Sequence, residues 1–363
     1  MSTNARQRDP APADGSRAAK VAILGVGQMG LVCANMLTDP ERVGKPAHLL
    51  PRVALWAHSP EEAGRLAQTR TSERLPGLHL NDEVRVAMRD RDALEHADVI
   101  VSAIPVQYIR SVWDRLRGYV APGAGVLSVA KGIENGTLLR PTQIIAEVLH
   151  DDPDAPARPL GSLSGPTIAS ELARCLPATM VAASDDEAFR KRVQELFAMR
   201  WMRVYTSPDL TGVEIAGATK NVIAIAAGIL DGLHAGNNAK SALLARGLAE
   251  IARLGVALGA SPETFFGIAG VGDLATSCFS PEGRNRSCGE ALGRGMKLDD
   301  YLARSRHVVE GVATAKSVVD LAHKLRVEMP IASAVHAVLF QGQDPIESIA
   351  RLMTREPKPE RVG

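Results

Sequence analysis

Lys20-Val21-Ala22-Ile23-Leu24-Gly25-Val26-Gly27-Gln28-Met29-Gly30-Leu31-Val32-Cys33-Ala34-Asn35-Met36-Leu37 decides the fold. Val21 to Leu24 is a short unbroken apolar run, the pattern of a strand buried on both faces. Leu31 to Leu37 reads as a helix. Between them stand Gly25, Gly27 and Gly30. The first permits a tight turn, the second lets the backbone approach a pyrophosphate, and the third packs helix on strand. The helix N-terminus adds free N–H groups and a positive dipole end. After a strand and before a helix, this spacing predicts a dinucleotide-binding loop; a glycine turn with no ligand is the alternative.

Further buried strands are expected at Val53–Ala57, Ala97–Pro105, Gly125–Gly132, Leu160–Leu163 and Ala178–Ala183, with a helix at Glu61–Arg70. Strands alternating with helices make a doubly wound α/β sheet. Asp151 to Pro159 is polar and proline-rich, an exposed loop. After Asp209 the pattern is helical, over 210–232, 239–258, 262–268, 286–293, 310–325 and 331–338. Asp344-Pro345 starts a last helix by the N-cap and first-turn proline rule. The expected fold is an N-terminal Rossmann-type doubly wound sheet followed by an all-helical C-terminal domain. The division is a disordered extension over 1–19, a dinucleotide-binding domain over 20–207, a helical substrate and catalytic domain over 208–356, and a disordered tail over 357–363.

An acid at the end of the second strand usually binds the ribose 2′-OH of NAD. Here that place holds His58-Ser59. Nothing there repels a 2′-phosphate, His58 and Ser59 can contact one, and Arg65 is in reach if its helix turns back. NADPH is favoured over NADH on this reading; the alternative is that His58 only stacks on the adenine.

The chemistry centres on Lys220-Asn221, inside Val213-Glu214-Ile215-Ala216-Gly217-Ala218-Thr219-Lys220-Asn221-Val222-Ile223-Ala224-Ile225-Ala226-Ala227-Gly228-Ile229-Leu230. Such a helix is apolar all round, as a central buried helix is. A buried ammonium costs several kcal/mol unless paired, and a lysine so placed shifts its pKa down readily. It is then either a proton donor near neutral pH or a structural lysine paired to a core carboxylate. Lys131, after the Gly125–Gly132 strand, faces the ligand crevice of an open α/β sheet. Ser164-Gly165-Pro166-Thr167 is a tight turn with free N–H groups. Gly270 to Cys278 places Asp273 and two hydroxyls in a glycine-rich turn. Arg284 can fork onto a phosphate and Asn285 can donate its amide to it; a solvated arginine is the alternative.

Composition bounds the rest. With 45% hydrophobic residues the 363-residue chain can build a real core, and with 4% aromatics that core is mostly Ala, Val, Leu and Ile. A net charge of +1 gives no argument for nucleic acid. Cys33, Cys175, Cys278 and Cys288 lack CxxC or zinc spacing and read as free thiols in a reducing compartment. Residues 1–19 lack the apolar stretch of a signal peptide, and no charge-free apolar run reaches membrane-span length. We expect a soluble cytoplasmic protein with no metal site.

Together the motifs resemble the NAD(P)-dependent glycerol-3-phosphate dehydrogenase family. The matching pieces are the Gly25–Gly30 loop, Leu55-Trp56-Ala57-His58, Ile104-Pro105-Val106-Gln107, Lys131-Gly132-Ile133-Glu134, Leu163 to Thr167 and Ala218 to Val222. They continue through Gly236 to Lys240, Gly247 to Glu250, Gly270 to Leu274, Gly283 to Arg286 and Val309-Glu310-Gly311. The resemblance spans about residues 20 to 340 in one order. It implies reversible reduction of dihydroxyacetone phosphate to sn-glycerol 3-phosphate, a precursor for phospholipids. It implies that Lys220 is the catalytic acid/base. It places Lys131, Gly165, Thr167, Asn221, Asp273, Arg284 and Asn285 with Lys220 at the substrate. It places Gly25, Gly27, Gln28, Met29, Gly30, His58, Lys131, Ala169, Arg284, Val308 and Glu310 at NADPH or NADH. Asp273 is expected to orient Lys220 or bind a substrate hydroxyl. His58 stands where an arginine is common, Ile268-Ala269-Gly270 and Ala275 are mild variations, and 151–159 is longer than a minimal family loop. A reductase of another keto or hydroxy acid, or a non-catalytic NADP(H) sensor, is the competing reading. A homodimer is expected.

Overall fold

The computed structural model describes residues 18–39, 50–151, 156–305, 308–356 and 359. The proposed extension lies outside the described residues up to position 17, as do 152–155 of the polar loop and all of the tail but Pro359.

Eight strands form one sheet: β1 (Lys20–Leu24), β2 (Arg52–Trp56), β3 (Arg85–Ala87), β4 (Val99–Ser102), β5 (Gly125–Ser128), β6 (Leu160–Ser164), β7 (Ala178–Ala183) and β8 (Met202–Ser207). Their order is β3-β2-β1-β4-β5-β6-β7-β8. All neighbours are parallel except β6 and β7, which run antiparallel. Connections leave β1 to one side and β4 to the other, so the crevice for a ligand opens between them, beyond their C-terminal ends. Both faces are covered. Val21 and Ile23 of β1 enter one core with Leu31, Leu55 and Leu127. Ala22 and Leu24 enter the other with Trp56, Ile109 and Trp113. This two-sided burial is why β1 is apolar without alternation.

Several expected elements come out shorter. β4 stops at Ser102 and β5 at Ser128, leaving Ile104-Pro105 and Lys131 on loops past the sheet edge, where they reach the crevice. Two strands escaped the reading: β3 has three residues, and in β8 buried Met202 and Val204 alternate with exposed Arg203 and Tyr205. A paired strand needs only its ladder and half of its side chains buried.

The helical half is built round Leu210–Gly232, whose boundaries match the sequence reading. This helix has the length and hydropathy to cross a membrane, yet 94% of its most apolar window is buried inside the protein. It packs against helices Gly236–Ala257, Asp273–Phe279, Arg284–Gly293, Glu310–Leu325 and Pro330–Phe340. Contact with Arg284–Gly293 is backbone on backbone: a methyl group at Gly228 would overlap the Arg286 carbonyl and stand 2.7 Å from the Glu290 nitrogen. One at Gly289 would overlap the Ile225 carbonyl.

The two halves are tied by a buried carboxylate. Glu214, on the long helix, accepts from Arg140 Nη1 at 2.5 Å, Thr142 N at 2.9 Å and Thr142 Oγ1 at 2.7 Å. It thereby caps the helix Pro141–Leu149 of the sheet half. Ser317 Oγ also donates to the Ile133 carbonyl at 2.9 Å.

Because the glycine contact has no slack, Gly228→Val should cost about 3 kcal/mol or more through overpacking. Thermal unfolding would show it, and an unchanged melting temperature would contradict the close approach.

Candidate active site

The crevice at the C-terminal ends of β1 and β4 is a cleft of about 630 Å³. Its floor is the glycine loop. Gly25 holds φ +111°, a region L-residues avoid, and its N–H donates to the Trp56 carbonyl at 2.9 Å. Gly27 is the N-cap of helix Gln28–Thr38 and no side chain caps that end. A Cβ on Gly27 would meet nothing within 4 Å, whereas one on Gly30 would overlap the Gly25 carbonyl. The loop is thus an open cradle on a helix N-terminus backed by a tight helix–strand contact, which fits a dinucleotide pyrophosphate.

At the other end of the cleft three charged side chains converge. Asp273, 1% exposed, accepts from Lys220 Nζ at 2.7 Å through Oδ1 and from Lys131 Nζ at 2.6 Å through Oδ2. Lys131 also donates to the Gly165 carbonyl at 3.0 Å, and Lys220 to Ser277 Oγ at 2.5 Å. Each group arrives by its own local device. Lys131 rides the loop after β5, pinned by Gln107, whose amide donates to the Ile133 carbonyl at 2.8 Å and accepts from Asn135 N at 3.0 Å. Gly165 holds φ +144°, which turns its carbonyl toward Lys131. Asp273 opens helix Asp273–Phe279 directly after a π-helical turn over Ile268–Gly272.

Burial drives the Lys131 pKa down to about 8; the Lys220 charge adds to this and Asp273 opposes it. Burial also lifts the Glu310 carboxyl above the usual range, against the pull of Arg284, Lys131 and Lys220.

Next to the lysines, Asn285 Nδ2 donates to Asn221 Oδ1 at 2.9 Å and Gly311 N donates to Asn285 Oδ1 at 2.9 Å. The buried Asn221 Nδ2 has no partner. Arg284 is exposed on the cleft wall and makes no hydrogen bond or salt bridge among the described residues. A cation and an amide without competing partners, beside two ammoniums, form an anion-receiving end.

The cleft therefore gathers Gly25, Gly27, Gln28, Met29, His58, Lys131, Thr167, Ala169, Lys220, Asn221, Asp273, Arg284, Asn285 and Glu310 from distant parts of the chain. Gly165 joins through its carbonyl and Gly30 through packing. Val308 is not brought into this lining; it is 45% exposed and precedes helix Glu310–Leu325. Ser59 is not among the residues that line the cleft; its hydroxyl caps helix Pro60–Thr69 by accepting from Glu62 N at 3.4 Å. Arg65 is exposed and off the cleft; the helix does not turn back. Asp273 and its hydroxyls lie on a helix and not in a loop, which explains a residue the sequence reading missed. Ser277 is one turn after Asp273, so both reach Lys220 from one helix face.

Comparison with known proteins identifies the family. The family model of the NAD-dependent glycerol-3-phosphate dehydrogenase N-terminus matches residues 20–190, and that of its C-terminus matches 209–350. The chain belongs to this family. It is 43% identical over 342 residues to a glycerol-3-phosphate dehydrogenase [NAD(P)+] of Prosthecochloris aestuarii, covering 94% of this chain and 99% of the relative. Its likeness to the enzyme of that name from Chlorobium limicola is 44% over 341 residues, again 94% and 99%. The crystal structure of glycerol-3-phosphate dehydrogenase from Coxiella burnetii superposes with a TM-score of 0.86 at 31% identity, covering 93% of this chain and 99% of the other.

The Lys131 value fixes a pH dependence. Its folded pKa of about 8 lies below the ordinary 10.5, so the ammonium is charged below pH 8 and lost as pH rises through it. Between these values the unfolded chain binds more protons, so this group makes stability rise with pH there. Carbonyl reduction should fall through pH 8, with the apparent value belonging to the coupled cluster. In Lys131→Arg a guanidinium that stays charged should move the fall to higher pH. A kcat/KM profile that the variant leaves unmoved would reject this assignment.

Proposed function

We propose that this glycerol-3-phosphate dehydrogenase family member interconverts dihydroxyacetone phosphate and sn-glycerol 3-phosphate with Lys220 as acid and base. The observation that carries this reading is one buried carboxylate holding two lysines, between a pyrophosphate cradle and an unpaired arginine. A nicotinamide held in the cleft would supply the hydride that reduces C2. Negative charge then grows on the C2 oxygen. Lys220 Nζ gives that oxygen its proton, forming the hydroxyl, and takes it back in the oxidative direction. The Lys131 ammonium stabilises the growing charge in a water-poor site. Asp273 fixes both nitrogens, and Ser277 fixes Lys220 from the other side. Arg284 and the Asn285 amide clamp the phosphate, with Asn221 hydrogen-bonded to Asn285 and Thr167 and the Gly165 backbone flanking the substrate. Phosphate binding thereby positions the carbonyl.

Gly25, Gly27, Gln28, Met29 and Gly30 hold the pyrophosphate end in this account, His58 lies at the adenosine, and Lys131, Ala169, Arg284 and Glu310 lie toward the nicotinamide. The nucleotide half runs over 20–207 and the substrate half over 208–356. NADPH is the preferred cofactor. The enzyme works in the cytoplasm, supplies glycerol 3-phosphate for phospholipid synthesis and is a homodimer.

Nicotinamide absorbance tests the reaction. Oxidation of NADPH or NADH should require dihydroxyacetone phosphate and fail with dihydroxyacetone; oxidation indifferent to the phosphate would overturn the clamp. Lys220→Ala should lower kcat by about 10³-fold, within the range of lost general-acid catalysis. Arg284→Ala should raise KM about 10- to 100-fold, the loss of a charge-assisted pair. Near-normal turnover of Lys220→Ala at neutral pH would refute its role.

A further inference from the structure

Opposite the lysines, the cleft wall carries an ion pair that the mechanism does not use. Arg74 Nε donates to Glu62 Oε1 at 2.8 Å, and both residues line the cleft with Trp56, His58 and the glycine loop. Glu62 lies in the first turn of helix Pro60–Thr69, one turn past the end of β2. An acid at that strand's end normally receives the ribose 2′-OH. Here His58 takes the place and the first cleft acid follows four residues on.

Arg74 sits on a built loop. Leu75, Leu78 and Leu80 sink into the core on its far side. Arg70 clamps the loop's return, donating to the Val84 and Asn81 carbonyls, each at 3.0 Å. Asn35 bridges it to helix Gln28–Thr38, donating to the His79 carbonyl at 2.7 Å and accepting from Asn81 N at 2.9 Å. The Arg74 side chain is nevertheless 49% exposed, so its head is held at the cleft but free to turn.

The other nearby cation is committed. Arg115 forks onto Asp90 with two bonds of 2.7 Å, lies over the Trp56 ring at 5.4 Å and donates to the His58 carbonyl at 3.3 Å. It braces the end of β2 and does not line the cleft. Lys131, Lys220 and Arg284 gather at the substrate end. Among the described residues Arg74 is thus the permanent cation that the cleft offers at its adenosine end.

We infer that Glu62 and Arg74 together read the 2′ position of the adenosine ribose. Facing a hydroxyl, Glu62 accepts its hydrogen bond while Arg74 stays on the carboxylate and neutralises it. Facing a phosphate, Arg74 turns from Glu62 to the dianion, a better partner for its fork. One pair so accommodates either cofactor, and Glu62 competes with a 2′-phosphate for the same guanidinium. The inference rests on the cleft being the dinucleotide site and adds the residues that choose between nucleotides.

Equilibrium binding of adenosine 2′,5′-bisphosphate and of 5′-AMP, which differ only in the 2′-phosphate, separates this from catalysis. The unmodified protein should prefer the bisphosphate. Arg74→Ala should weaken the bisphosphate about 10-fold or more and AMP less than about twofold, as expected for loss of one charge-assisted phosphate contact. Arg74→Lys should restore part of the preference through its point charge. Glu62→Gln should strengthen the bisphosphate and weaken AMP. Kinetic preference for NADPH over NADH should follow the same order. If the unmodified protein binds both fragments and Arg74→Ala weakens them equally or not at all, the inference is wrong while the site reading stands. Glu62→Gln leaving the ratio unchanged would remove Glu62 from it. If neither fragment binds the unmodified protein, the dinucleotide reading itself fails.

Discussion

Asp273 is shared by Lys131 and Lys220, one carboxylate oxygen to each, and the rest of the site depends on that sharing. Two ammoniums buried side by side repel one another, and burying each carries a desolvation cost of several kcal/mol. A single carboxylate between them makes the arrangement tolerable without cancelling it. The trio retains one net positive charge, aimed into the cleft. Burial lifts the neighbouring Glu310 carboxyl above its usual range, against the pull of Arg284, Lys131 and Lys220. In the proposed reaction the positive charge of the cluster meets a group that arrives with the substrate, a carbonyl oxygen gaining charge or a phosphate at Arg284.

The trio also explains why the two halves of the chain must be held in register. Lys131 comes from a loop of the sheet half, and Lys220 and Asp273 from the helical half. Their contacts survive only if the halves cannot slide. The buried Glu214 cap on helix Pro141–Leu149 and the Ser317 bond to the Ile133 carbonyl supply that restraint near the base of Lys131. Close glycine contacts do the same inside the helical half, fixing the helix that carries Arg284 and Asn285 against the one that carries Asn221. Stability and catalytic geometry use the same elements, so a packing change far from the cleft disturbs both.

What was legible in the sequence follows from how local each signal is. The strand–glycine loop–helix unit and the charged residue in an apolar helix are local patterns, and both were readable. Arg284 was a candidate anion contact beside the alternative of a solvated arginine, and the family resemblance, not its local pattern, chose between them. Asp273 was readable as an acid but not as the start of a helix, since Gly267, Gly270 and Gly272 in a π-helical turn look like a loop. Ser277 was lost for the same reason, because the spacing of four has meaning only on a helix. The cap made by Ser59 was not read, because a hydroxyl before a proline serves a cap as readily as a ligand. Arg74 was invisible, since only the tertiary placement of its loop brings it opposite Glu62. Strands β3 and β8 were missed because an edge position and half-burial leave little hydrophobic pattern to read.

The most direct test of the shared carboxylate is Asp273→Asn, which keeps shape and removes charge. With dihydroxyacetone phosphate, kcat should drop by about 10²-fold or more as the pre-set geometry of the proton donor is lost, while NADPH affinity stays within about twofold. A variant that turns over at near the original rate would contradict the account, because the two lysines would then be held and charged without Asp273.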